Sequence, residues 1–233
     1  MPPEIITESK IFFKKGSCQV QYIRKGKKMR ELVESLKQAG VLKTPRIIFA
    51  FLANDRKKFV PAGFEADAYV DAPLPIGEGQ TISQPYTVAF MMELLDPQPG
   101  QKILDIGFGS GWTAGILAHI AGEQGKVWGL EVVPEVFEFG KSNLKKLEYK
   151  NIELRNQSGW EGLPEAAPFD RIIASAAAPA IPKSLKQQLV VGGKIVIPVG
   201  TAYDCSIKHL TKTGKDSFEE ESFPGFAFVP FVK

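Results

Sequence analysis

Cysteine and histidine are scarce in this chain of 233 residues; Cys18, Cys205, His119 and His209 are all it has of either. The four form no metal-ligand spacing, so neither a zinc-organised fold nor a disulfide scaffold is expected, and reduced thiols in a cytoplasmic setting are. A long apolar run is also missing: nothing approaches the roughly 18 residues that span a bilayer. The start, Met1-Pro2-Pro3-Glu4, has no basic segment leading into an apolar one, so no secretory signal is expected. Charge of one sign is lacking too. The net value is +3, whereas phosphate backbones are bound by clustered Lys and Arg, so neither nucleic acid nor a membrane is an expected partner. What is present is 44% apolar and 24% charged, a composition that excludes disorder and suits one α/β domain with a sizeable core.

Residues 1–28 differ from the rest. Ile11-Phe12-Phe13 and Val20-Gln21-Tyr22-Ile23 flank Lys14-Lys15-Gly16-Ser17 and read as a short hairpin, followed by a basic run at Arg24, Lys25, Lys27 and Lys28. From residue 31 helical spacing begins, with Leu32, Val33 and Leu36 ahead of a stop at Gly40. Pro45 suits the first turn of a second helix. A segment rich in proline and glycine, residues 71–85, shows little periodicity, and a helix over 86–95 follows. Strand and helix then alternate. Lys102–Ile106, Lys126–Leu130, Ile152–Arg155, Asp170–Ala174 and Lys194–Val199 read as strands; Trp112–Ile120, Pro134–Leu147 and Pro182–Leu189 read as helices. That alternation implies a parallel sheet wrapped on both faces. Tyr203–Thr211 and Phe226–Phe231, around a turn at 213–216, are expected to close one edge as antiparallel strands.

The chemistry concentrates at Asp105-Ile106-Gly107-Phe108-Gly109-Ser110-Gly111-Trp112, where a buried strand turns into a helix. Glycines there let backbone amides approach a ligand, and the helix N-terminus adds partial positive charge. A dinucleotide fingerprint, G-x-G-x-x-G, would require a small residue at 112, where this chain has tryptophan. No Gly-Lys-Ser/Thr follows, which excludes a P-loop. Glu131 ends the next strand, 24 residues beyond Gly107, where a carboxylate can accept hydrogen bonds from both hydroxyls of a ribose.

Ile76-Gly77-Glu78-Gly79-Gln80-Thr81-Ile82-Ser83-Gln84-Pro85 is similar to the substrate loop of the protein-L-isoaspartate O-methyltransferases. The likeness continues through the glycine loop, residues 166–173, Ala176-Ala177-Ala178-Pro179, residues 192–200 and Phe228-Val229-Pro230-Phe231, and covers roughly residues 31–233. It implies a doubly wound, mostly parallel α/β sheet of the Rossmann-like methyltransferase type, with antiparallel C-terminal edge strands and an N-terminal helical extension. Residues 1–30 are then the extension and 31–233 a single methyltransferase domain. The implied cofactor is S-adenosyl-L-methionine, leaving as S-adenosyl-L-homocysteine, and no metal. The implied acceptor is the α-carboxylate of an L-isoaspartyl residue in a damaged protein or peptide, whose ester collapses to a succinimide and can return to aspartate. Ser83 becomes the hydroxyl at the transfer site, with Gln80, Thr81 and Ile82 in the same loop. Asp105, Gly107, Gly109, Ser110, Gly111, Glu131, Ser158 and Gly159 become the cofactor holders.

That residue set suits the reaction. A carboxylate of pKa about 4 is ionised at neutral pH, so no general base is required. The chain departs from the family at Gln157-Ser158-Gly159, where an aspartate usually stands at position 158; losing a charge-assisted contact there is worth about 1–2 kcal/mol of cofactor affinity. Phe108 and Trp112 stand where smaller or phenolic residues are common. Two alternatives remain open: a related carboxyl methyltransferase acting on one peptide's aspartate, and a binding protein that keeps the fold without the catalysis.

Overall fold

The computed structural model describes residues 17–202 and 204–232, with side chains from Lys28 onward. In chain order the elements are α1 (Ser17–Gln38), α2 (Pro45–Ala53), a short 3-10 turn at Arg56–Phe59, β1 (Leu74–Gly77), β2 (Gln80–Ile82), α3 (Pro85–Leu95) and β3 (Lys102–Ile106). Then come α4 (Trp112–Ala121), β4 (Lys126–Glu131), α5 (Pro134–Lys145), β5 (Ile152–Asn156), β6 (Phe169–Ala174) and α6 (Lys183–Gln187). The chain closes with β7 (Leu189–Gly200), β8 (Cys205–Lys212) and β9 (Phe218–Phe226).

Seven strands form one sheet in the order β5-β4-β3-β6-β7-β8-β9. The strands from β5 through β7 run parallel, and β8 and β9 add as antiparallel neighbours. The chain moves outward from β3 to β5, then returns to the other side of β3 at β6. That reversal opens a crevice beyond the carboxyl end of β3, where open α/β sheets bind ligands.

Alternation along each strand fills two cores. Ile103, Val127, Ile173 and Val196 face a layer made by α1 to α5, while Leu104, Ile106, Trp128, Leu130, Ile172 and Ile195 face α6 and the loop before β6. Because both faces are covered, β3 and β4 read as nearly continuous apolar runs. Helix starts follow a shared device: Pro45, Pro85 and Pro134 each open a helix, where the missing N–H costs no hydrogen bond. Val88, Met91, Met92 and Leu95 of α3 are all buried, as their spacing requires. Gly40 ends α1 with a positive φ of 72°, the conformation a helix stop demands.

The structure corrects three expectations. Val20–Ile23 lies within α1 and is not a strand; the other half of the expected hairpin, Ile11-Phe12-Phe13, falls outside the described residues. The helix expected from residue 31 begins at Ser17, where it continues into the face that buries Met29, Leu32, Val33 and Leu36. The last strand is Phe218–Phe226, not Phe226–Phe231; residues 227–231 form no strand, and Pro230 makes an isolated parallel bridge with Ala177. Among the described residues no helix is long and apolar enough to cross a membrane.

Candidate functional site

The crevice beyond β3 widens into a cavity of about 760 Å³, open to solvent. Its floor is the glycine loop. Gly107, Gly109 and Gly111 have φ of 71°, 52° and 88°, all in the region that L side chains avoid. Space reinforces the demand at Gly111, where a Cβ would meet Leu144 Cγ at 2.8 Å. The loop also rests on a glycine that motif reading does not single out. A Cβ on Gly140, inside α5, would stand 2.2 Å from the Gly109 carbonyl oxygen. The only sequence signal for Gly140 is a glycine placed in mid-helix. Ser110 is buried, and its carbonyl accepts from Asn143 Nδ2 at 3.2 Å.

Glu131, at the end of β4, lines the cavity and is only 6% exposed. Its Oε2 accepts from the Gly109 amide at 3.2 Å and its Oε1 from the Val133 amide at 3.0 Å, so it holds the loop while facing the crevice. Asp105 lies fully buried beneath that loop. Thr113 donates its hydroxyl to Asp105 Oδ2 at 2.9 Å, while Oδ1 has no hydrogen-bond partner. Burial pushes the Asp105 pKa up to about 7; the Thr113 hydrogen bond opposes this and the charge of Glu131 adds to it.

The far end of the cavity is made differently. Gln157 and Gly159 line it together with Val229–Val232. Gly159 lies tight against β3, since a Cβ there would meet Ile106 Cγ2 at 2.2 Å. The Ser158 hydroxyl turns to the chain's own tail, donating to the Val232 carbonyl at 3.0 Å and accepting from the Trp160 amide at 3.3 Å. The tail is held further by Ala177, whose amide donates to Val229 at 2.8 Å and whose carbonyl accepts from Phe231 at 2.9 Å. The Phe231 ring meets Trp160 edge-on at 5.5 Å. Nothing in local sequence pattern announces this wall.

Residues 71–85, which show no periodicity, include the hairpin β1–β2. It turns through Glu78 and Gly79 with φ of 50° and 67°. The hairpin leans on the glycine loop, where a Cβ on Gly109 would be 3.4 Å from Ile76 Cδ1. Gln80, Thr81, Ile82 and Ser83 all line the cavity. Gln84 occupies the cap position of α3, and the carboxylate of Asp71 accepts from the Tyr86 amide at 2.8 Å. A second open cavity of about 1060 Å³ adjoins the first and shares Thr81, Ser83, Ser175 and Val229 with it. No charged side chain lines the second cavity among the described residues. Ser83 thus stands at the junction of two cavities, half-buried, with its hydroxyl bonded to none of the described residues.

Comparison with known proteins bears on the same elements. The family model for protein-L-isoaspartate(D-aspartate) O-methyltransferase matches residues 27–233. A protein-L-isoaspartate O-methyltransferase from Methanopyrus kandleri is 44% identical over 202 residues, which is 86% of this chain and 89% of the relative. One from Anaeromyxobacter dehalogenans is 44% identical over 204 residues, 87% of this chain and 96% of the relative. Among solved structures, a Plasmodium falciparum chain assigned to the same enzymes and crystallised in complex with S-adenosyl-L-homocysteine superposes with a TM-score of 0.77 at 25% identity, over 88% of this chain and 98% of that one. A second protein-L-isoaspartate O-methyltransferase gives 0.79 at 27% identity, over 88% of this chain and 66% of that one. With the switch-point cavity, the glycine loop and the hairpin beside it in view, the match over nearly the whole described chain is decisive: this protein belongs to the protein-L-isoaspartate(D-aspartate) O-methyltransferase family.

Proposed function

We propose that this protein transfers the methyl group of S-adenosyl-L-methionine to the α-carboxylate of L-isoaspartyl residues in damaged proteins or peptides, the step that initiates their repair. Residues 31–233 act as one methyltransferase domain in this reading, and the enzyme works in the cytoplasm. The observation that carries it is the position of Ser83, a hydroxyl bonded to none of the described residues at the junction of two cavities.

The residues present fit the cofactor. Glycines with left-handed backbone clear a cradle on one wall, Glu131 offers its carboxylate toward ribose hydroxyls, and Asp105 Oδ1 lies buried without a partner beneath them. Asp105, Gly107, Gly109, Ser110, Gly111 and Glu131 would hold the amino-acid and ribose portions. Gln157 and Gly159, with Ser158 securing the tail, would bound the far end. When bound, the cofactor supplies a methyl group made electrophilic by a positively charged sulfur.

The chain's own contribution is orientation. The acceptor carboxylate enters the second cavity already ionised. Among the described residues no cationic side chain lines that space, so they do not over-stabilise the ground state of the anion. Ser83 donates one hydrogen bond to it and fixes the attacking oxygen; Thr81 and Gln80 form the adjoining edge of the hairpin. Neutralisation of opposite charges gains as bound cofactor and peptide displace water from the junction of the two open cavities, and holding the reacting atoms in line supplies the remainder. The product is a methyl ester; the next backbone amide nitrogen then attacks the ester carbonyl and expels methanol, closing a succinimide outside the enzyme's control.

Incubation with label-bearing cofactor tests the reading, using an isoaspartyl peptide beside its aspartyl counterpart. Label is expected on the first alone. Label on the aspartyl peptide would point to a modifying enzyme instead, and no label with no cofactor binding would leave only a binding protein. In the active enzyme, Ser83→Ala should lower kcat about ten- to a hundredfold, the worth of a hydrogen bond to a charged group. Calorimetric affinity for S-adenosyl-L-homocysteine should stay nearly unchanged.

A further inference from the structure

One buried cation ties the hairpin to the glycine loop's helix. Arg56 follows α2 in a single 3-10 turn and has no exposed surface. Its Nη1 donates to the carbonyls of Ala68 at 2.9 Å and Val70 at 3.3 Å. Its Nη2 donates to Ala72 at 2.9 Å and to Ser83 at 3.1 Å. The guanidinium carbon lies 5.4 Å from the centroid of the Trp112 ring. Trp112 is the first residue of α4, lines the donor-side cavity and donates Nε1 to the Asn54 carbonyl at 2.9 Å. Four carbonyls between positions 68 and 83 therefore end on one planar side chain, which lies over the ring of the residue that follows the glycine loop.

Those bonds occupy the cation fully except at Nε, which is buried without a partner. Burial lowers the pKa of the guanidinium to about 10, with Asp71 opposing, so it stays protonated at neutral pH. Its charge is spent on backbone carbonyls and does not line the acceptor cavity.

We infer that Arg56 is a positioning residue for methyl transfer: by gripping the Ser83 carbonyl from a platform on Trp112, it sets where the Ser83 hydroxyl stands at the junction of the two cavities. This rests on the role given to Ser83 above. Lysine cannot replace it, because an ammonium is a point donor on a flexible stem, whereas the guanidinium fork spans several acceptors and stacks by its face.

A double-mutant cycle tests the inference, with R56K, S83A and the pair. R56K should retain the far-UV circular dichroism of the parent and bind S-adenosyl-L-homocysteine within about threefold, while kcat on an isoaspartyl peptide falls about ten- to a hundredfold, the cost of a misplaced reacting group. In the S83A background the same change should move kcat by less than about twofold, since there is no hydroxyl left to place. Additive losses, or a fall in product affinity equal to the fall in kcat, would overturn the inference in favour of general support of the fold. Should R56K not fold, R56A refolded with methylguanidinium serves instead; saturable recovery of kcat is expected, and a folded protein without recovery overturns the claim. If the unaltered enzyme labels no isoaspartyl peptide, the functional reading falls by itself. Hydrogen exchange over residues 68–83, faster in R56K if the arginine holds that segment and unchanged if it does not, then judges the grip separately.

Discussion

The two ends of the cavity beyond β3 are built on opposite plans. At the glycine-loop end, backbone conformation does the work: three left-handed glycines, a helix packed so close that Gly140 has no room for a Cβ, and two carboxylates, Asp105 sealed beneath the loop and Glu131 facing the crevice. At the far end the wall is the chain's own tail, held by the Ser158 hydroxyl, two main-chain bonds to Ala177 and the contact between Trp160 and Phe231. The first end is rigid because its alternatives are sterically forbidden. The second is ordered only as long as a few separable contacts persist, a condition that allows local opening. Affinity should therefore respond steeply to change at one end and gently at the other.

Gly140→Ala attacks the rigid end at its support and should have the largest effect. The added methyl group faces the Gly109 carbonyl at 2.2 Å and the Phe108 ring at 2.7 Å, so the loop or the helix must move. Overpacking of that kind costs about 1–3 kcal/mol, expected as a lowered Tm together with at least a tenfold weaker binding of S-adenosyl-L-homocysteine by calorimetry. Normal binding in that variant would show that the loop tolerates displacement, and the contrast between the two ends would collapse.

Asp105→Asn sharpens the comparison through pH. The folded-state pKa of Asp105, about 7, lies above its ordinary value of 3.8, so ionisation above pH 7 costs stability and that cost is relieved as pH falls from 7 toward 4. The asparagine variant should thus melt a few degrees higher than its parent at pH 8 and lose that advantage near pH 4 to 5. Cofactor affinity should drop several-fold, and only the parent should bind more weakly as pH falls below 7, because its carboxylate then takes up a proton. Equal pH profiles would remove Asp105 from any role toward a bound cation.

Ser158→Ala should do least. Its hydroxyl is already committed to Val232 and Trp160, and a partly exposed hydrogen bond is worth about 1 kcal/mol. Binding is expected to weaken about fivefold or less, with kcat unchanged and with amide exchange faster in residues 228–232. A loss as large as that of Gly140→Ala would mean that the tail is as indispensable as the loop.

What could be read from the sequence follows the same division. The glycine loop and Glu131 were legible because strand, turn, helix and next strand are contiguous and each step has its own residue preference. The doubly wound sheet was legible for the same reason. Val20–Ile23 misled, since four residues with two β-branched side chains fit a strand as well as a helix; tertiary burial further along α1 decided the matter. The hairpin β1–β2 was hidden because Pro73 and Pro75 break alternation before it can register. Arg56 sits in Asn54-Asp55-Arg56-Lys57-Lys58, which looks like a solvated surface run. Its burial depends on carbonyls up to 27 positions away, and no local pattern carries such information.

If the second cavity receives the acceptor, as proposed above, its neutral lining has a consequence for breadth of substrate. Discrimination between partners commonly works by repulsion, a like charge or a stranded polar group set against the unwanted one. Among the described residues no charged side chain lines that cavity, and Asp71, bonded to the Tyr86 amide behind the lining, is the nearest fixed charge shown, so basic and apolar flanking residues meet no electrostatic veto from the lining itself. Spontaneous damage strikes a polypeptide wherever its backbone permits, without regard to the neighbours. On the proposed role, a lining of uncharged side chains is what a generalist needs.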